Sequence, residues 1–535
     1  MELSGSQGLL TVLIVTCLAN AAFSADVDFF QIQSEFGDSI SCDYLTQGIY
    51  AVWWDSKNDL TQEAYILLDS MMAYGDICLN NLEMQNPPNP QNGFYFNVYL
   101  HEPGDVFPDG WACGVGTDSY GYPYMTLPIG ILGDWVTISH ETFHVYQYNS
   151  DAPGFEGVDV FWYIEASANW FAAITHPGHP NAFVEAMTLV KVPHVAMWLG
   201  YDNFPSYYPD NWQRYCHQYA MALFLYYLTE IEGVPYSLIC GGFYNNGPSP
   251  QDLNPQEYLF QAEWTVDLRT QFMNWAARMT NGYDFILPSQ LEMAELHWNT
   301  YGDPEDDNEF TQVFNYSSYG WYSPPDSLAT SAWSFNTYKI LNTGLGGYNF
   351  ILQGSDTGSM GDPSHFRGKV LVKNAYEESR IYDLQMQTET QGSLVLEVLP
   401  ADTALYFIVG SLPEAFSGSE QLFPYMISVE PTLSSTDPPG GESARLALDH
   451  SCPNPFNTRT AIGFTIPFQG QVTLDVFDLA GRPVTTLLNE QMQSGSHEVF
   501  WNGKNYSGDF LPAGLYTIRL YHAGTCVTDR LTLLR

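Results

Sequence analysis

The chain has 535 residues, which exceeds the length of one ordinary hydrophobic core and predicts about two to four domains. Its formal charge is −43 at pH 7 although only 14% of its residues are charged, because just 17 residues are Lys or Arg. Such an acidic surface argues against nucleic acid and anionic membranes as partners, since both require positive charge. A hydrophobic content of 45% argues against a disordered chain.

The N-terminal residues 1–24 have the pattern of a secretory signal peptide. The apolar run Leu9–Leu18 is too short to span a bilayer, and the small residues Ala22 and Ser24 favour cleavage after Ser24. The run lacks the usual preceding basic residue. No later stretch is long and apolar enough for a transmembrane helix. We therefore expect an exported chain without a transmembrane segment.

The first elements of the mature chain are a helix and two strands. Apolar residues recur with helical spacing over Thr61–Asn80. Gly93–His101 alternates as a strand does, and Tyr120–Leu127 predicts another strand. This second strand directly precedes the most informative motif of the sequence.

That motif is an H-E-x-x-H pattern within Trp135–Tyr148, formed by His140, Glu141 and His144. On a helix, the four-residue spacing places both histidines on one face, where two imidazoles can hold one zinc ion. Glu141 then projects beside the open coordination position. The alternative is a buried core helix that carries two histidines by chance.

A second helical segment, Phe161–Ala173, offers a third ligand. Glu165 lies 21 residues after His144 and is followed by small residues that permit close helix packing. The two segments resemble the gluzincins, the thermolysin-like clan of zinc peptidases, in which a glutamate on a second helix follows H-E-x-x-H by about 20 residues. The resemblance covers residues 60–235, and Ile164 stands where many relatives have Asn.

The gluzincin resemblance implies that His140, His144 and Glu165 hold Zn²⁺ and that Glu141 is the general base. It also implies that the strand before the zinc helix is a sheet edge that pairs with substrate. Residues 122–127 are the candidate for that edge, and an ordinary internal strand is the alternative.

Gluzincins also use a Tyr or His near the start of a later helix to stabilise the oxyanion. The corresponding segment is Tyr215–Glu232, a helix that Gly233 ends. We favour Tyr219 for this role over His217 and Tyr215. Aromatic packing is the competing explanation for all three.

Two further groups are candidate cation sites. The loop that contains His176 and His179 could hold a second metal, but its prolines favour a solvated turn. The acidic cluster Asp303–Glu309 could bind Ca²⁺. Its spacing does not match an EF-hand loop, so a solvated acidic turn is the alternative.

The periodicity changes near Thr330 to short alternating strands. Examples are Lys369–Lys373, Ser393–Val398 and Ala404–Gly410, which together predict an accessory β-sandwich of about 100 residues. Ser434–Gly441 then has the composition of a linker.

The final module, residues 450–535, contains N-P-F-N, V-x-D-x-x-G-R, W-x-G and A-G-x-Y elements. It resembles the C-terminal Ig-like sorting domain of the type IX secretion system, which is related to the hook-capping Ig-like fold. The resemblance implies passage across a Gram-negative-type outer membrane, followed by release or attachment at the surface. It implies no catalytic role for this module.

Removal of the signal peptide leaves seven of the eight cysteines, so at least one thiol is unpaired. The pairs Cys216–Cys240 and Cys452–Cys526 are candidate disulfides, because each pair lies within one predicted domain.

The sequence thus predicts a multidomain protein. An α+β zincin-like catalytic domain (25–328) precedes an all-β sandwich domain (329–432), a linker (433–449) and a C-terminal Ig-like β-sandwich (450–535). The predicted function is a secreted zinc metallopeptidase with polypeptide substrates. The alternatives are a catalytically inactive surface binding or adhesion protein on a zincin scaffold, and a zinc hydrolase for a non-peptide amide or ester.

Overall fold

The computed structural model describes most of the chain from Cys42 to Leu534. The described residues are 42–86, 96–102, 113–115, 123–148, 160–200, 203–205, 212–241, 258–259, 266–301, 313–316, 320–325, 328–341, 346–376, 378–414, 420–432, 446–448, 451, 453–466, 470–478, 481–492, 495–522 and 525–534. The predicted signal peptide, the acidic cluster Asp303–Glu309, Cys452 and most of the predicted linker lie outside these residues.

The chain divides into two compact units, each built from several segments. The first unit comprises Met1–Pro153, Ser167–His179 and Pro235–Asp252, and the second comprises Gly154–Ala166, Pro180–Val234 and Leu253–Arg535.

A mixed five-stranded sheet forms the centre of the first unit, in the order β1-β2-β3-β5-β4. Its strands are β1 (Cys42–Gln47), β2 (Tyr50–Asp55), β3 (Phe96–His101), β4 (Cys113–Val115) and β5 (Tyr124–Pro128). The three central strands are parallel, whereas β1 and β4 run antiparallel to their neighbours. β5 lies between β3 and β4, so the expectation that this strand forms the edge is wrong. The edge beside it is β4.

Two helices of the first unit pack together with this sheet: α1 (Thr61–Asn80), which has the predicted bounds, and α2 (Trp135–Tyr148). The Tyr50 and Tyr146 hydroxyls form a buried 2.7 Å hydrogen bond between β2 and α2. Gly75 of α1 makes room for this pair, since a Cβ there would lie 2.0 Å from the Tyr50 hydroxyl. The absence of a side chain at Gly75 therefore permits the hydrogen bond that joins α2 to the sheet.

Helix α3 (Phe161–Thr175) follows and contributes residues to both units. Its later half packs on α2 through Phe171, whose ring stacks on Phe143 with centroids 4.7 Å apart. Phe171 and Trp170 are fully buried. This aromatic contact fixes the two helices that carry the H-E-x-x-H motif and the glutamate that follows it.

The second unit contains the remaining helices and the C-terminal sheets. Its helices are α4 (Met187–Lys191), α5 (Trp212–Ala220), α6 (Ala222–Tyr226), α8 (Leu268–Thr280) and α9 (Pro288–Tyr301), while α7 (Tyr236–Cys240) belongs to the first unit. The helix predicted over residues 215–232 is divided into α5, α6 and a π-helical turn, Tyr227–Ile231. This stretch ends at Gly233 as predicted, because Gly233 has the left-handed φ of +71° that favours glycine.

The predicted all-β region forms two sheets and a small ribbon. One sheet has the order β11-β10-β14-β8-β6, the other has the order β12-β13-β9-β16, and β15 pairs with β7. The bounds are β6 (Val313–Tyr316), β7 (Thr330–Ser331), β8 (Ser334–Ile340), β9 (Gly346–Gly354), β10 (Phe366–Asn374), β11 (Ser379–Asp383), β12 (Gln385–Met386), β13 (Gln391–Val398), β14 (Asp402–Ser411), β15 (Leu422–Phe423) and β16 (Tyr425–Pro431). All three strands that the alternation predicted are present, within β10, β13 and β14.

The C-terminal region forms a three-stranded sheet, β17-β18-β21, and a four-stranded sheet, β20-β19-β22-β23. The bounds are β17 (Ala447–Leu448), β18 (Thr460–Ile466), β19 (Gly470–Phe477), β20 (Pro483–Met492), β21 (Gly495–Trp501), β22 (Gly514–His522) and β23 (Thr525–Leu533). Apolar residues at alternate positions of β18, β19 and β22 form one buried cluster with Trp501.

The predicted disulfides do not form in this structure. Cys216, Cys240 and Cys526 are free thiols, so neither Cys216–Cys240 nor Cys452–Cys526 is present. Cys526 is exposed, whereas burial raises the pKa of the Cys216 thiol well above its ordinary value. The only basis for these pairs is that each lies within one predicted domain, and this does not fix the distance between two side chains.

Within the described residues, no helix combines the length and the apolar character needed to cross a bilayer.

Candidate metal centre

The candidate site lies on α2 and α3. Asp134 caps α2: its carboxylate accepts a 2.9 Å hydrogen bond from the Thr137 hydroxyl, and its carbonyl accepts from the Ile138 amide. The preceding residue, Gly133, has a φ of +104° that glycine adopts without strain. Asp134 and Gly133 therefore fix the start of the motif helix at Trp135, ahead of His140.

The structure brings the three predicted zinc ligands together. One potential ligand atom from each of His140, His144 and Glu165 lies within 4.8 Å of the other two. Both histidines are buried, and Glu165 is partly buried. Among the described residues, no other group of three His, Cys, Asp or Glu side chains converges in this way.

The two imidazoles face each other through their Nε2 atoms, which are 2.8 Å apart, with ring planes at 90°. On the far side of each ring, Nδ1 lies 2.7 Å from a side-chain carboxamide oxygen: Asn169 for His140, and Gln147 for His144. Two imidazole nitrogens and one carboxylate form a donor set that suits zinc. The residues present therefore fit the ion that the motif implies.

Sequence reasoning missed Asn169 and Gln147, although simple spacings point to them. Gln147 lies three residues after His144 on the same helix, and Asn169 lies four residues after Glu165. Residues three or four apart share a helix face. A search of the two helices for polar residues at these offsets would have found both carboxamides.

The proposed general base, Glu141, is buried on α2. Burying a carboxylate costs free energy, and a helix that only fills the core does not require one. Its burial next to the convergent histidines is consistent with a chemical role.

The three candidates for oxyanion stabilisation lie on α5, in the second unit. His217 is fully buried, and its Nδ1 donates a 2.6 Å hydrogen bond to the Leu199 carbonyl. Burial lowers the pKa of His217 to about 4, against the opposing effect of this hydrogen bond. His217 is therefore neutral at pH 7 with its proton on Nδ1, so its Nε2 cannot donate to an oxyanion.

Tyr219 is partly buried on the same helix. The side chain of Tyr215 lies outside the described part of the structure. His217 is thus disfavoured as the hydrogen-bond donor to the oxyanion, and the two tyrosines remain candidates. The assignment of this role to Tyr219 stays a prediction.

In the loop that was a candidate second metal site, His176 contacts a tyrosine of α1. His176 Nε2 lies 2.9 Å from the Tyr74 hydroxyl, and the two rings also meet edge to face. Burial is the main cause that lowers the pKa of His176. The contact with Tyr74 ties the end of α3 to α1, which is a structural role.

Comparisons with known proteins identify the C-terminal module first. Residues 458–525 match the FlgD Ig-like domain, which confirms an Ig-like domain at this end of the chain. No curated protein matches the sequence.

Similar solved structures include PorZ of Porphyromonas gingivalis, described as a surface component of the type-IX secretion system. It is 18% identical, with 21% of this chain and 14% of PorZ covered and a TM-score of 0.14. A β-1,2-glucanase of Parabacteroides distasonis is 8% identical, with 40% and 36% covered and a TM-score of 0.16. Latent PorU of P. gingivalis is 8% identical, with 42% and 32% covered and a TM-score of 0.17. This chain therefore spans about a third or less of these proteins, and such TM-scores carry no argument about fold or function.

A second family match lies upstream of the Ig-like domain and includes most of α1, the H-E-x-x-H helix and the predicted β-sandwich. It extends over residues 63–434, more than half of the chain. The protein therefore belongs to the family of unknown function DUF6055.

Proposed function

We propose that the protein is a secreted zinc-dependent peptidase whose metal is held by His140, His144 and Glu165. The observation that carries the proposal is the convergence of these three side chains within 4.8 Å on two helices. Zinc bound by such a set lowers the pKa of a bound water to about 7 and polarises a carbonyl group. We also propose that the region around α2 and α3 has a zincin-like fold.

The chain's own residues then have distinct tasks. Glu141 takes the proton of the attacking water and passes it to the leaving amine, first as general base and then as general acid. Tyr219 donates a hydrogen bond to the oxyanion that forms at the scissile carbonyl. Burial of Glu141 and of both histidines excludes bulk water, which strengthens these charge interactions.

The edge strand β4 is the proposed binding position for an extended peptide. β4 packs against α2, and among the described strands it pairs only with β5. A peptide that adds to this edge would form backbone hydrogen bonds beside the motif helix. Recognition through backbone groups would favour a polypeptide over a small ester as substrate.

The proposed location is the cell surface or the medium of a Gram-negative-type bacterium. The FlgD Ig-like match at residues 458–525 supports the resemblance of this module to a type IX sorting domain. In this proposal residues 450–535 bind the secretion machinery and take no part in hydrolysis.

A variant with Glu141→Gln tests the peptidase proposal. The substitution keeps the size of the side chain but removes the base, so we expect hydrolysis of casein and of a peptide panel to fall about 10²–10⁴-fold. Zinc content should stay at the wild-type value, because Glu141 is not a proposed ligand. Equal hydrolysis by the variant and the wild type would contradict the mechanism.

The 2.8 Å separation of the two Nε2 atoms also suits a single shared proton, which favours a second candidate, a metal-free binding protein. Wild-type protein that takes up no zinc would support this candidate. Zinc uptake with turnover of amide or ester substrates but not of peptides would instead support a different zinc hydrolase.

A further inference from the structure

The feature that carries a further inference is the pair of carboxamides behind the histidines. Asn169 Oδ1 lies 2.7 Å from His140 Nδ1, and Gln147 Oε1 lies 2.7 Å from His144 Nδ1. A carboxamide oxygen only accepts hydrogen bonds, so the proton of each short contact must come from the imidazole. Each histidine therefore carries its proton on Nδ1.

This tautomer leaves the lone pair of each neutral ring on Nε2. Those two Nε2 atoms are the pair that faces across 2.8 Å, near the Glu165 carboxylate. Two lone pairs and a carboxylate that converge in a buried place repel one another unless a cation lies among them. The carboxamides thus prepare both rings to act as ligands before any metal binds.

Ser167 fixes the orientation of one of the carboxamides. The Gln147 amide donates a 2.7 Å hydrogen bond from Nε2 to the Ser167 hydroxyl, which is fully buried. Because the NH₂ group of Gln147 is directed to Ser167, its oxygen is directed to His144. A contact between α2 and α3 therefore controls the tautomer of a histidine that lies wholly on α2.

We infer that Asn169 and Gln147, the latter held by Ser167, are positioning residues that keep His140 and His144 in the metal-binding tautomer through neutral acceptors. This inference rests on the proposed function, because it concerns the same metal site. In many metal sites a carboxylate occupies this outer position and raises the basicity of the ligand. Here both acceptors are uncharged, so the imidazoles would transfer less charge to a bound metal ion, which would stay more electrophilic.

The test compares zinc affinities of the full-length chain by competition with a chromophoric chelator. We expect Asn169→Leu and Gln147→Leu each to weaken zinc binding about 10–100-fold, the usual cost of losing an outer-shell partner. Asn169→Asp keeps an acceptor at the same position and should bind zinc at least as tightly as the wild type. Gln271→Leu is the matched control, since Gln271 is an equally buried carboxamide on α8, and it should not change the affinity.

A spectroscopic measurement separates positioning from mere structural support. In metal-free protein with ¹⁵N-labelled histidine, the wild type should show protonated Nδ1 at His140 and His144, in addition to histidines elsewhere such as His217. Asn169→Leu should convert His140 to mixed tautomers, and Gln147→Leu should do the same to His144. Asn169→Asp should restore the wild-type pattern. If Asn169→Leu fails to fold, Gln147→Leu and Asn169→Asp still carry the test.

Zinc affinities of both leucine variants within twofold of the wild type would overturn the inference. So would an Asn169→Asp variant that binds zinc as weakly as Asn169→Leu. Zinc binding is measured without substrate, so a wild type that binds zinc but hydrolyses no peptide rejects the peptidase proposal and leaves this inference standing. A wild type that binds no zinc rejects both.

Discussion

The helical region around α2 and α3 and the C-terminal Ig-like domain bury different kinds of side chain. α2 buries two histidines and a glutamate next to each other. The described part of residues 446–535 buries one histidine, His522, and no carboxylate. Burial of apolar side chains stabilises the fold through the hydrophobic effect. Burial of a cluster of titratable side chains instead costs folding free energy, so such a cluster indicates a binding or catalytic role. We therefore expect the functional site to lie in the helical region around α2 and α3.

The charge of the chain is divided in the same way. Residues 446–535 contain seven Asp or Glu and six Lys or Arg, a net charge of −1, so almost all of the total of −43 lies upstream. An acidic field around the helical region attracts cations, including metal ions and basic polypeptide segments. The near-neutral Ig-like domain has no comparable field.

The largest predicted effect concerns the apolar core of the Ig-like domain. Trp501 is 1% exposed, packs against Phe456 and Tyr516, and donates a 3.1 Å hydrogen bond to the Lys504 carbonyl. Trp501→Ala should destabilise this domain by about 3–5 kcal/mol. Zinc affinity should not change, since both the ligands and their partners lie elsewhere.

Urea unfolding of the full chain measures this change. The adjacent Phe500→Ala is the control, because Phe500 is 50% exposed and its removal should cost less than about 1 kcal/mol. A loss of zinc binding in Trp501→Ala would contradict the expectation that the metal site does not depend on the core of the Ig-like domain.

A smaller effect concerns the pH dependence of the helical region. The folded pKa of His217 is about 4 because of burial, with His194 lowered to about 3 by burial and by the adjacent His217. The unfolded chain, with a histidine pKa of about 6.5, binds more protons than the folded chain between these values. The contribution of His217 to stability is therefore complete above about pH 6.5 and is lost as the pH falls towards 4, about 3 kcal/mol in total.

This sign can be tested with His217→Phe, which cannot be protonated. Between pH 7 and pH 4 the variant should lose about 3 kcal/mol less unfolding free energy than the wild type does. His497→Gln in the Ig-like domain is the control and should follow the wild type. Equal losses in wild type and His217→Phe would show that His217 is not a source of the acid sensitivity.

The parts of the fold and of the candidate site that the sequence predicted correctly depend on local pattern. Alternating apolar residues predicted the strands that lie within β10, β13 and β14, because period-two burial depends on local pattern alone. The motif spacing brought His140 and His144 to one face for an equally local reason. In both cases the information lies within one element.

Predictions failed where the outcome depends on contacts between distant segments. The sheet order that makes β4 the edge in place of β5 depends on a strand only three residues long. The path of residues 215–232 through α5, α6 and a π-helical turn has no Gly or Pro to signal it before Gly233. The predicted cysteine pairs are wrong for the same reason, since two cysteines of one predicted domain need not lie close together in space.

The most direct test of the proposed metal centre is the zinc content of the purified full-length protein after dialysis against a metal-free buffer. We expect one zinc per chain in the wild type and in the control His497→Gln, and none in His144→Leu, which lacks one of the three ligands. A wild type without zinc, or a His144→Leu variant that still holds one zinc per chain, would contradict the claim that these helices form a metal centre.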